Sequence, residues 1–259
     1  MISVVIRNKN QERALSFLLH NLTSRYAEDI AEIVVLDNKS TDGSKKVAED
    51  HNARFVTIEE FSYGGSANIA AQEAQHPIIV IFSAHSYPIS HDFFKLIKAK
   101  FEANDNLAGL RCLHSSNDYR NYINQVPAKE DPNKSGLIFS GSAFSKAIWE
   151  KHSFREDVAT FEDKEWSKRV LEAGFHIEFV PSIFSYEIHR NKKQQFFRFK
   201  NDMVGNYQLW HEDVSVLSAG KGFIATVFRL KINFIKDVWY ACKRFFHTIA
   251  FSLNKPNKF

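Results

Sequence analysis

Residues 32–44 read EIVVLDNKSTDGS. Ile33 to Leu36 form an unbroken apolar run that stops at Asp37, and Ser40, Thr41 and Asp42 then supply turn and helix-capping chemistry ahead of KKVAEDH. A fully apolar strand feeding an amphipathic helix is the repeating unit of a parallel sheet covered on both faces. The same unit recurs on either side. Upstream, ISVVIR (2–7) precedes QERALSFLLHNLTSRY (11–26), where Leu15, Leu18, Leu19 and Leu22 keep helical spacing. Downstream come ARFVTI (53–58), GSANIAAQEA (65–74) and IIVIFS (78–83), read as strand, helix and strand. The expected fold is therefore α/β: a Rossmann-like, doubly wound, mainly parallel sheet with helices on both faces.

Ligands of such sheets gather outside the carboxyl ends of the strands. Those ends are Arg7-Asn8-Lys9-Asn10, Asp37-Asn38 and Ser83-Ala84-His85-Ser86, all polar. Neither G-x-G-x-x-G after the first strand nor G-x-x-x-x-G-K-[ST] occurs, which argues against dinucleotide dehydrogenases and P-loop nucleotidases.

Two cysteines, Cys112 and Cys242, make no disulfide or zinc framework. The opening MISVVIRNKN has no basic region before a long apolar run, so it is expected to be a first strand and not a signal peptide. Net charge is +4 but uneven: from Arg190 onward 13 Lys+Arg face 4 Asp+Glu. A mildly acidic body with a basic, Phe-rich tail suggests an anionic partner for the tail.

Beyond LAGLRCLH (107–114) lies a polar stretch with Pro127 and Pro132, long enough to be a lid or a disordered loop. FSKAIWEKH (144–152) reads as a helix. FEDKEWSKRVLEAG (161–174) reads as another, with Trp166, Val170 and Leu171 inward and Gly174 as its stop. HIEFVPSIFSYEIH (176–189) is strand-like.

Taken in order, SVVIRNKN, EIVVLDNKSTDGS, GGSANIAAQEA, IVIFSAHSYP, GSAFSKAIWE, FEDKEWSKRVLEAG and YEIH resemble family 2 glycosyltransferases over roughly residues 2–190. The resemblance implies the GT-A fold and inverting transfer from a nucleotide-activated sugar. It implies Asp163 as the base that deprotonates the acceptor, with Glu162 beside it orienting the acceptor. Asp37 would read a uracil or thymine ring, favouring UDP- or dTDP-sugars, and Arg7, Asn10, Ser66 and Asn68 would flank the donor. The family's fourth strand ends in Asp-x-Asp, where this chain has Ser83 and His85. That variant resembles rhamnosyltransferase-like members. Serine can bond a ribose hydroxyl, while His85 with His189 would form the metal site, which suits Mn²⁺ better than Mg²⁺.

The resulting division is a catalytic domain over 1–190 and a basic, aromatic helical extension over 191–259. Its charges rule out a bilayer span, so residues 221–253 are expected at a membrane surface or in a homodimer contact. Gly220 and Gly222 mark an expected break. No nucleic-acid motif accompanies the basic patch. The expected acceptor is a glycan or lipid-linked hydroxyl in cell-surface polysaccharide synthesis, and the expected place is the cytoplasm, at the inner membrane face. Two rivals remain: a catalytically inactive nucleotide-sugar-binding module, and a sugar-phosphate nucleotidyltransferase. The second should carry a glycine-rich loop after strand one, which RNKNQER lacks.

Overall fold

The computed structural model describes residues 1–187 and 190–258. The chain opens with β1 (Ile2–Asn8), α1 (Glu12–Arg25), β2 (Glu32–Asp37), α2 (Ser44–Asp50), β3 (Arg54–Thr57), α3 (Tyr63–Glu73) and β4 (Ile78–Ser83). It continues with β5 (Ser86–Pro88), α4 (Phe93–Ala103), β6 (Leu107–Leu113), α5 (Ser116–Ile123), α6 (Pro132–Ser135), β7 (Ser142–Ser145) and α7 (Lys146–Lys151). It ends with α8 (Glu162–Glu172), β8 (His176–Tyr186), α9 (Lys192–Trp210) and α10 (Val216–Leu253).

Eight strands form one sheet in the order β3-β2-β1-β4-β7-β6-β8-β5. β3, β2, β1 and β4 run parallel, as do β6 and β8, while β7 lies antiparallel between β4 and β6. Side chains alternate across the pleat, and this divides the core in two. Val4, Ile6, Val80 and Phe82 pack with Leu15, Leu18, Leu19 and Leu22 of α1 and with Phe93 and Phe94 of α4. Val5, Val34, Leu36, Ile79 and Ile81 pack on the other face against Ala67, Ala70 and Ala71 of α3 and Trp166 and Val170 of α8. The doubly wound expectation holds.

Three local expectations need correction. SAFS (142–145) is a buried strand, so the helix read over 144–152 begins only at Lys146. The polar stretch after β6 is not structureless. Ser115 Oγ accepts the Asp118 N–H to start α5, and Asp131 caps α6 with Pro132 at its first position. The expected break at Gly220 and Gly222 is absent, because α10 runs through both. Two interior glycines cost about 1 kcal/mol each, which a 38-residue helix can absorb.

The chain divides into compact units Met1–Trp210 and His211–Phe259, so α9, which the sequence reading grouped with the extension, belongs to the first.

Candidate active site

The register places the three polar strand ends on one edge of the sheet: Asn8 pairs with Asp37, and Arg7 with Ser83. Asp37 is 2% exposed. Its Oδ1 accepts from Asn8 Nδ2 (2.8 Å) and Ser40 Oγ (2.6 Å), and its Oδ2 from Ser40 N–H (2.7 Å). A carboxylate has about four acceptor positions, so Asp37 keeps one on Oδ2. It anchors the turn after β2 through Ser40 and has one acceptor position unfilled.

α8 begins abnormally. Phe161 precedes it at φ 66, a left-handed conformation costly for a bulky residue, and no side chain caps the helix. Glu162, Asp163 and Lys164 follow, all buried. Asp163 is no helix cap: its Oδ2 accepts the N–H of Phe139 at 2.8 Å, a contact from the segment leading into β7. The next residue, Ser140, accepts the N–H of Ser83 through its Oγ at 2.7 Å. The dipeptide Phe139-Ser140 thus ties the carboxylate of α8 to the end of β4. Arg7 closes the group from β1, with Nη1 3.5 Å from Glu162 Oε1 and donating to Ser66 Oγ at 3.4 Å.

Burial, with the Asp163 carboxylate beside it, outweighs Arg7 and pushes Glu162 up to about 7. Burial likewise lowers the Lys164 amine to about 8, and the amine donates to the Asn133 carbonyl at 2.8 Å. Between its ordinary value of 4.5 and about 7, the folded chain holds a proton on Glu162 that the unfolded chain releases. This contribution to stability is complete below the lower value and is lost as pH rises through the upper one. Glu162→Gln stays neutral throughout. It should match wild type at pH 4 and exceed it by on the order of 3 kcal/mol at pH 8 in urea denaturation; parallel pH profiles for the two proteins would refute the assignment.

His85 donates from Nδ1 to Gln11 Oε1 at 2.8 Å and stacks on Tyr186, with centroids 5.1 Å apart. An amide oxygen only accepts, so the proton sits on Nδ1 and Nε2 keeps its lone pair. Burial, then the charges of Arg190 and Arg7, hold the imidazole below its usual value. A neutral imidazole fits a borderline divalent ion as one donor. Among the described residues no group of three or more His, Cys, Asp or Glu is placed to hold a metal. His189, the second expected ligand, lies outside the described residues.

Other candidates prove structural. Asn68 has its amide fully engaged: Nδ2 donates to Phe154 O and Glu156 Oε1, and Oδ1 accepts from Trp149 Nε1 and Phe154 N–H. It braces the 154–156 turn, and these bonds occupy the amide groups expected to face the donor. Two N–H groups at the start of α3 are engaged within the helix, Gly65 by the Ser62 hydroxyl and Ser66 by the Ser62 carbonyl. Gly64 is required there because a Cβ would come within 2.0 Å of the Arg155 carbonyl oxygen. Ser66 donates to Tyr63 O, so it positions Arg7. Asn10, exposed at φ 50, accepts Thr41 N–H at 2.7 Å and pins the β2–α2 turn to β1.

Sequence reasoning missed several partners. Asn8 and Ser40 orient Asp37, Gln11 orients His85, and Ser86 and Ser140 share a hydroxyl–hydroxyl bond behind Ser83. Asp118 is buried under Arg111, His114 and Ser115, which hold its carboxyl far below the usual range despite burial. Its signal, Ser-x-x-Asp at 115–118, was present in the sequence. α9 contributes Gly205, where a Cβ would lie 2.7 Å from the Phe161 ring. Arg198 of α9 stands over the same ring at 5.8 Å. A cavity of about 570 Å³ lies elsewhere, between Tyr122, Pro127, Leu171, Phe175 and Phe179, and includes none of these site residues.

Residues 3–156 match the family model for glycosyl transferase family 2. The chain belongs to that family. As a family 2 glycosyltransferase it is 25% identical over 225 residues to a dolichyl N-acetyl-α-D-glucosaminyl phosphate 3-β-D-2,3-diacetamido-2,3-dideoxy-β-D-glucuronosyltransferase of Methanococcus voltae, covering 76% of this chain and 70% of the relative. Among solved structures it resembles a Pyrobaculum calidifontis mannosyltransferase in complex with GDP-Man and Mn²⁺ (TM-score 0.64, 17% identity), covering 84% of this chain and 66% of that one. It also resembles S. aureus TarS 1–349 in complex with UDP-GlcNAc (TM-score 0.60, 15% identity), covering 85% and 69%. The glycosyltransferase thus has the GT-A fold, and it spans slightly under two thirds of the mannosyltransferase chain. The nucleotidyltransferase reading falls with this membership.

Proposed function

We propose that this glycosyltransferase moves a sugar, with inversion, from a UDP- or dTDP-sugar to a hydroxyl of a glycan or lipid-linked acceptor. The observation that carries the reading is the Phe139-Ser140 link, which holds the Asp163 carboxylate and the Ser83 strand end on successive residues. Alignment of acceptor and donor is a large part of the catalysis such a transfer needs.

In this reading the acceptor oxygen attacks the anomeric carbon as its proton passes to Asp163, and the bond from that carbon to the diphosphate breaks with its electrons leaving on the phosphate. The two backbone N–H groups on Asp163, from Phe139 and Lys164, fix the carboxylate and leave lone pairs for the proton. Arg7 faces the departing negative charge, and a Glu162 that carries its own proton leaves the guanidinium free to do so. Ser83 has its hydroxyl outside the bonds that anchor its backbone, available to a ribose. A divalent ion, as found with the Pyrobaculum mannosyltransferase, would be held by His85 Nε2 and the diphosphate oxygens and would supply positive charge there. The spare acceptor on Asp37 supports a base with a ring N–H, as in uracil or thymine. The Methanococcus relative, named for a dolichyl phosphate-linked acceptor, supports the acceptor class.

A thermal-shift panel of UDP, dTDP, GDP and CMP, each with and without Mn²⁺, tests the donor side. Saturating UDP or dTDP should raise Tm by several degrees, the metal should add to this, and His85→Ala should lose the metal increment alone. Silence toward all four nucleotides would overturn the donor assignment.

A further inference from the structure

α10 is 38 residues long, about 57 Å at the helical rise, and none of its residues is buried. Its residues sort into two faces. Phe223, Val227, Leu230, Phe234, Val238 and Phe245 follow one stripe, and Ile224, Phe228, Ile235, Trp239, Phe246 and Leu253 an adjacent one. Arg229, Asn233, Lys236, Tyr240, Lys243 and His247 occupy the opposite side at the same spacing. The apolar side chains are open: Phe234 is 68% exposed, Trp239 60% and Phe246 67%. With aromatic side chains of roughly 150–250 Å² each, the exposed apolar face is on the order of 1000 Å², far more than a soluble surface ordinarily carries. Between Val216 and Leu253 six Lys/Arg stand against Asp237 alone.

We propose that α10 lies flat in the interface of an anionic lipid bilayer, with its aromatic face in the acyl boundary and its cations among the headgroups. Charge complementarity selects this occupant. No helix among the described residues is long and apolar enough to cross a membrane, yet this one has the wide apolar arc, aromatic content and basic polar face of an interfacial helix. Lys221 borders the apolar arc, and Lys231 lies within it between Val227, Phe228, Phe234 and Ile235; both stems are long enough to lie along apolar surface while their amines reach headgroups. A second copy fits less well. A coiled-coil seam is a narrow a/d stripe of Leu, Ile or Val, whereas this arc is wider and half aromatic, with five Phe and Trp239 among its twelve residues, and pairing would bring two strongly basic helices together.

The test is flotation of the full chain with vesicles of phosphatidylcholine alone and of phosphatidylcholine with 30% phosphatidylglycerol. Binding to the anionic vesicles should be at least tenfold tighter, should weaken in 0.5 M NaCl, and should shift tryptophan emission to the blue in a Trp239-dependent way. The triple variant Arg229→Glu, Lys236→Glu, Lys243→Glu should lose at least tenfold in binding. It touches none of the residues assigned to glycosyl transfer and should keep wild-type nucleotide-induced thermal shifts. Failure to float with either vesicle overturns the proposal, with monomer mass then indicating a helix covered by its own chain and dimer mass a second copy. Undiminished binding by the triple variant overturns it as well.

Discussion

Asp163→Asn should reduce kcat by two to four orders of magnitude, the usual worth of a general base, while leaving nucleotide binding unchanged. The substitution is nearly isosteric, and the asparagine oxygen can still accept the Phe139 N–H that positions the side chain. What disappears is the capacity to take a proton, together with the acceptor for the neighbouring Lys164 N–H. Full-rate transfer by this variant would remove Asp163 from the reaction. Loss of nucleotide binding alongside rate would make it a scaffold for the donor site instead. The experiment also separates an enzyme from a module that only binds, because only the enzyme has a rate to lose.

Gly141→Ala should destabilise the fold by about 2–4 kcal/mol, and a matched glycine isolates the reason. Both Gly141 and Gly174 have positive φ, 85 and 91. At Gly174 a Cβ would meet nothing within 4 Å, so Gly174→Ala carries only the left-handed backbone penalty of about 1 kcal/mol. At Gly141 the same Cβ would sit 2.3 Å from Phe184 Cζ, against a ring that is 2% exposed and stacks on His114. Overpacking of that kind adds about 1–3 kcal/mol. Because Gly141 follows Ser140, the displacement should also disturb the bond to Ser83 and reduce turnover. Urea midpoints of the two variants are the measurement, and equal destabilisation would show that the Phe184 contact yields freely.

These contrasts also show which parts of the molecule could be read from sequence. Leu15, Leu18, Leu19 and Leu22 were read as one face of a helix and are fully buried. Asn8, Asp37 and Ser83 were read as strand ends and are the last residues of β1, β2 and β4. Periodicity and turn chemistry are local, so local sequence reveals them. SAFS was misread because four small or apolar residues before a helix have no period of their own, and only the neighbours β4 and β6 make them a strand. Asn68 was assigned outward because an amide near a helix start has no mark of its four internal partners. The partners that matter most at the site, the Phe139 N–H and the close approach of Gly205, belong to the backbone and leave no side-chain signature at all.

The link between Asp163 and Ser83 runs through two consecutive residues and so depends on very little of the chain. Consecutive Cα atoms are about 3.8 Å apart whatever precedes them, so the spacing between the Asp163 carboxylate and the end of β4 is set within the dipeptide Phe139-Ser140. The polar segment from 114 to 136, with its two short helices, enters before that dipeptide and contributes nothing to its length. A change of length in that segment should therefore leave the distance from Asp163 to the end of β4 unaltered.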